Sequence, residues 1–178
     1  MSLKVQNNRA KTIAFMALMV ALSNILSAPP FVIPVVLGPL NSNIHLTQVP
    51  ILISGILAGP WVGLLTGALG GLYMSFSTEI PFVIGGLAIL GFASGFLANK
   101  RKVKPVFSGI LAWLIQAPYV FFSDYLWFAY SRGMPSPVAL TAVIVVLLKL
   151  TVEALIASGL SAVIVSYVQR HLAGWIKF

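Results

Sequence analysis

The 178-residue chain (19.0 kDa) is 59% hydrophobic, with a mean hydropathy of +1.00 and only 8% charged residues, where a soluble globular domain carries about 25%. That composition excludes an ordinary soluble protein, and the absence of cysteine excludes disulfide scaffolds, thiol nucleophiles and cysteine-ligated metals. Eleven Lys and Arg oppose three Asp and Glu, a formal charge of +8 and a pI near 10.1. The cations stand at the ends of apolar runs instead of on one interleaved basic and aromatic surface, so the charge reads as membrane topology and not as nucleic-acid binding.

A membrane-spanning helix needs roughly 20 mostly apolar residues, so six would occupy about 120 positions and leave room for connections. The first apolar run, 12–27, follows a basic leader with Lys4, Arg9 and Lys11. It has no convincing small-residue cleavage site after it, which argues against a signal peptide. Residues 28–44 (APPFVIPVVLGPLNSNI) are proline-rich and too short to span, and read as a structured loop on the outer face. Further runs lie at 45–58, 60–76, 80–98, 106–129 and 138–169, the first two of these parted only by Gly59-Pro60. The expectation is an all-α integral membrane protein, a single domain over 1–178 with six transmembrane helices. With the N-terminus inside, Lys4, Arg9, Lys11, Lys100, Arg101, Lys102, Lys104, Arg170 and Lys177 all fall on the cytoplasmic side and both termini are internal; Arg132 alone lands outside and Lys149 lies within the last run.

Small residues recur at a spacing of four: Gly63, Gly67 and Gly71 in the third run, Gly91 and Gly95 in the fourth, and at the first run Ala10 with Ala14 and Ala17 with Ala21. This spacing lets helix backbones approach closely within lipid, and serves either internal packing or docking of another membrane subunit.

Polar groups inside apolar runs are costly at membrane depth and mark cavities or partners. They are Gln116, Tyr119 and Asp124 in the fifth run and Lys149 and Glu153 in the sixth. At 1.5 Å per residue Gln116 lies roughly 16 Å and Asp124 roughly 28 Å beyond Pro105, while Glu153 and Lys149 lie about 25 and 31 Å back from Arg170, which puts the charged groups in the outer half. Lys149 and Glu153 share a helix face and can neutralise each other. The functional alternative is an outward-facing pocket bordered by this pair and Asp124, with Asn41, Asn43, His45, Thr47 and Gln48 as its other wall; those five also suit a solvated loop and helix cap. His45 and His171 are far apart in the chain, so no metal is expected. A phosphate-binding loop and a Gly-x-Ser-x-Gly elbow are both missing, Ser158 and Ser161 read as packing residues, and three acids supply a two-carboxylate site poorly. No enzyme and no cofactor are expected.

The segment from Asn43 to Gly67 (NIHLTQVPILISGILAGPWVGLLTG) resembles the second and third helices of the substrate-binding S components of energy-coupling factor (ECF) transporters of the riboflavin and pantothenate-like group, in which His/Asp-x-x-x-x-Pro, an apolar stretch, Gly-Pro and spaced glycines recur. Ala17-Leu-Met-Val-Ala21 is similar to the family's Ala-x-x-x-Ala motif. The resemblance implies a multi-pass protein of a prokaryotic plasma membrane that captures a vitamin-like molecule and performs no chemistry. It implies partners too: a transmembrane coupling (T) component and two cytoplasmic ATPases, docked through Ala17, Ala21 and Ala14, with segment 28–48 as the lid and the body toppling in the membrane to deliver its cargo. For the substrate, Lys149 suits an anion such as pantothenate, and folate belongs to the same group. The aromatics Tyr119, Phe121, Phe122, Tyr125, Trp127, Phe128 and Tyr130 suit stacking on a flat ring or an interfacial belt; riboflavin is the first expectation. A self-sufficient small carrier and an intramembrane enzyme are the other classes open.

Overall fold

In the computed structural model, residues 2–37 and 40–171 are described, the side chains of 2–8, 35–37 and 40–42 excepted; Lys177 and the side chain of Asn41 thus lie outside the described residues. The elements run α1 (Ser2–Ile25), β1 (Ile33–Leu37), β2 (Leu40–Ile44), α2 (Gln48–Ala58), α3 (Pro60–Gly70), α4 (Leu72–Thr78), α5 (Val83–Asn99), α6 (Pro105–Leu126), a π-helical turn (Trp127–Ser131) and α7 (Ser136–His171). Each of the six apolar runs holds a helix, and the third is broken at Gly71 into α3 and α4.

The helix boundaries follow local chemistry. Gly59 takes φ 101°, a region closed to most side chains, and Pro60 opens α3 where its missing N–H costs nothing. Lys104 is extended before Pro105, which starts α6 in the same way. Segment 28–44, expected as a loop, instead contains an antiparallel hairpin with Ile33 opposite Ile44 and Leu37 opposite Leu40. Its β-branched Ile33, Val35 and Val36 favour extended backbone, and Pro34 is tolerated because a two-stranded ribbon is all edge. The all-α expectation is corrected to that extent.

α2 is the centre of the bundle. Residues Gln48 to Ile56 are all buried, and the helix packs on α1, α3, α5 and α7, so it needs an apolar surface all round. Ile51, Leu52 and Leu90 of α5 form the driest part of the core. The most extensive contact, α3 on α5, depends on missing side chains: a Cβ on Gly63 would stand 2.2 Å from the Gly91 carbonyl oxygen, and one on Gly91 would stand 2.0 Å from that of Gly63. The spaced glycines of the third and fourth runs are therefore internal packing.

Polar side chains close the remaining backbone groups. Asn99 donates to the carbonyls of Gly55 and Ile56 at the end of α2, at 3.2 and 3.1 Å. Ser23 donates to Thr47 and Gly70 carbonyls, both at 3.1 Å, tying α1 to α2 and α3. Helix lengths differ widely: α2 and α3, 11 residues each, reach only about 16 Å, whereas Pro105–Ser131 and Ser136–His171 are each long and apolar enough to cross a membrane. Large apolar side chains face outward along several helices, among them Trp61, Phe76, Leu114, Phe122, Leu148 and Val163, an exposure suited to lipid rather than water.

Candidate functional site

Two adjoining cavities lie where α2, α4, α5, α6 and α7 meet beside the hairpin. The first has a volume of about 830 Å³ including its mouth. Thr47 and Gln48 form one wall, Met74, Thr78, Phe82, Val83, Gly86 and Leu87 a second, Gln116, Val120, Ser123 and Asp124 a third, and Val146, Lys149, Leu150 and Glu153 a fourth. The second, about 720 Å³, is lined by Ser27, Pro29, Val32, Asn43, His45, Tyr73 and Ser77 and shares Thr78 and Lys149 with the first.

The polar groups are held firmly. Glu153, 1% exposed, takes a 2.7 Å hydrogen bond from the His45 backbone N–H and faces the Lys149 ammonium at 3.5 Å. One carboxylate thus joins α7 to the chain entering α2 across 108 positions of sequence. Thr47 is fixed by a 2.8 Å hydroxyl contact with Ser27. The His45 ring is buried, and both burial and the Lys149 charge push its pKa down, to about 4, so it is neutral at pH 7. Asp124 is 6% exposed and receives only a long bond, 3.4 Å, from Ser123. Gln48 and Gln116 are buried with their Oε1 atoms unpartnered among the described residues. Gly86 makes Gln116's position possible, because a Cβ there would lie 3.0 Å from Nε2.

Of the residues singled out in sequence, Thr47, Gln48, Gln116, Asp124, Lys149 and Glu153 line the first cavity and Asn43 and His45 the second. Tyr119 lines neither; its hydroxyl donates to the Phe82 carbonyl at 3.3 Å, bracing α6 on the start of α5. The Asn41 side chain lies outside the described residues. None of the seven aromatics of 119–130 lines either cavity. Phe122 and Tyr130 are strongly exposed, and Trp127 meets Phe82 edge-on at 6.1 Å. Met74, Phe82 and Val83 were missed because their apolar character matches that of any lipid-facing position, and Thr78 because a hydroxyl residue in a membrane helix also serves packing. Ala14, Ala17 and Ala21 are exposed on α1. Arg132 pairs with Glu79 at the end of α4, an exposed contact of little energetic weight.

Fold and site define a helical bundle with an open-mouthed, mainly apolar cavity that a few buried polar side chains also line. A family model described as "ECF transporter, substrate-specific component" matches residues 11–168, and the chain belongs to that family. No curated protein matches the sequence. Among solved structures, the fold is similar to that of the S component for biotin from an ECF-type ABC transporter, with a TM-score of 0.67 and 21% identity over 96% of this chain and 98% of that one.

Proposed function

We propose that the chain is the membrane-embedded, high-affinity binding subunit of an ATP-driven importer, spanning a prokaryotic plasma membrane as one six-helix domain with both termini inside. Its cargo is a small water-soluble vitamin or related micronutrient, held in the cavity between α2, α5, α6 and α7. The observation that carries this reading is the set of buried polar side chains (Gln48, Gln116, Asp124 and Glu153) converging with the partly exposed Lys149 on one cavity in a chain with only three acids. Such groups are costly at depth unless something uses them. Asn43 and His45, with Asn41 on the same strand, belong on the hairpin side of the entrance, and segment 28–48 serves as the lid.

Transport would require a transmembrane coupling component and two cytoplasmic ATPases, and the exposed Ala14, Ala17 and Ala21 form the docking stripe. The case for riboflavin rests on the aromatics of 119–130, none of which lines the cavity, and the solved structure of similar fold is an S component for biotin; riboflavin is therefore not proposed. The test is mass spectrometry of small molecules released on denaturing detergent-purified protein. One stoichiometric polar compound, lost from a Gln48→Leu/Gln116→Leu variant, is expected. Equal retention by that variant would place the compound elsewhere.

A further inference from the structure

The charges around the main cavity do not balance. Two of the three acids in the chain line it, Asp124 and Glu153, and Lys149 is its only cationic lining residue among those described. Lys149 is already engaged, 3.5 Å from Glu153, which also takes the His45 backbone N–H. His45 lies in the adjoining cavity and is neutral at pH 7. Asp124 is left with one negative charge, no cation among the described residues and a single 3.4 Å bond from Ser123. A buried carboxylate so poorly compensated is expensive. Gln48 and Gln116, both at least 97% buried, line the same space, and their Oε1 atoms have no donor among the described residues. The protein side of the cavity therefore carries one negative charge in excess, beside two amides that can both accept and donate hydrogen bonds.

We infer that the molecule bound here presents a positively charged nitrogen bearing N–H groups, an amine, amidine or protonated heterocyclic base, which docks on Asp124 and is flanked by the amides of Gln48 and Gln116. The inference rests on the proposed binding function and narrows its substrate class. It also reassigns Lys149: its charge balances Glu153 and does not serve to receive an anionic cargo. Apolar Phe82, Val83 and Leu87 on the facing wall suit the uncharged body of such a molecule.

The test is a thermal-shift and calorimetric panel on the detergent-purified full chain. The cationic probes are pyridoxamine, histamine and agmatine; riboflavin is the neutral one; biotin and pantothenate are the anionic ones. At least one cation is expected to bind, and Asp124→Asn is expected to weaken it about 10- to 150-fold, the range of a charged hydrogen bond. Binding of anionic or neutral probes only, no binding by any cation, or equal binding by Asp124→Asn overturns the inference. The wild-type panel decides even if the variant does not fold. An anion bound with unchanged affinity would sink this inference while leaving the importer reading intact. The importer reading fails separately, if no coupling component or ATPase co-purifies with the chain.

Discussion

Glu153 shows at a single residue how this bundle is organised. Its carboxylate is almost wholly buried and has two partners from different parts of the chain, so removing either leaves a charge in a dry site. Lys149→Met should destabilise the protein by about 3–5 kcal/mol, read as thermal unfolding in detergent. Lys149→Met/Glu153→Gln should recover most of that loss, because the amide still accepts the His45 N–H; a double variant no better than the single one would contradict this. His45 gives the pH dependence. It faces Lys149 and its backbone holds Glu153, and its folded pKa is lowered to about 4 from 6.5. Between those values the unfolded chain binds the extra proton, so His45 contributes a slope that lowers stability as pH drops from 6.5 towards 4. His45→Gln should flatten that slope, and an unchanged pH profile would remove His45 as its source. The polar half of the site was legible in sequence because Gln116, Asp124, Lys149 and Glu153 interrupt apolar runs. Its apolar half was not: nothing in one sequence separates a cavity-lining Val83 or Phe82 from a lipid-facing neighbour.

At the scale of elements, the contact of α3 with α5 is set by backbone approach at Gly63 and Gly91. Gly91→Ala forces a Cβ onto the Gly63 carbonyl, 2.0 Å away, and should cost about 1–3 kcal/mol as overpacking. Gly159 on α7 has nothing within 4 Å of its would-be Cβ, so Gly159→Ala should be neutral or stabilise by up to about 1 kcal/mol through helix propensity. Unfolding curves of the two variants side by side check the contrast; equal effects would mean that neither site is read correctly. The break at Gly59-Pro60 could be read from composition because glycine and proline each have a physical reason to be there. The second break, at Gly71, was missed: Gly71 keeps φ −88° in an unbroken apolar run, and only the structure shows how closely α5 approaches it, with a Cβ there 2.9 Å from Leu87 Cδ1. The hairpin was hidden for a similar reason, since strands of five residues within a proline-rich stretch look like loop until their pairing is seen.

For the whole molecule, the exposed apolar surface faces lipid, while the cavity with its few buried polar side chains is left for a small molecule. The alanine face of α1 is exposed and would take up a partner without disturbing the cavity. Ala17→Trp should therefore leave binding of the retained molecule unchanged and abolish ATP-dependent uptake; loss of binding as well would make that face part of the internal packing. The most direct test of the account is uptake of the retained molecule into proteoliposomes, with and without the coupling component and its ATPases. The account predicts accumulation only when the complete module and ATP are present. Uptake at the same rate by this chain alone would contradict it and make the protein a self-sufficient carrier.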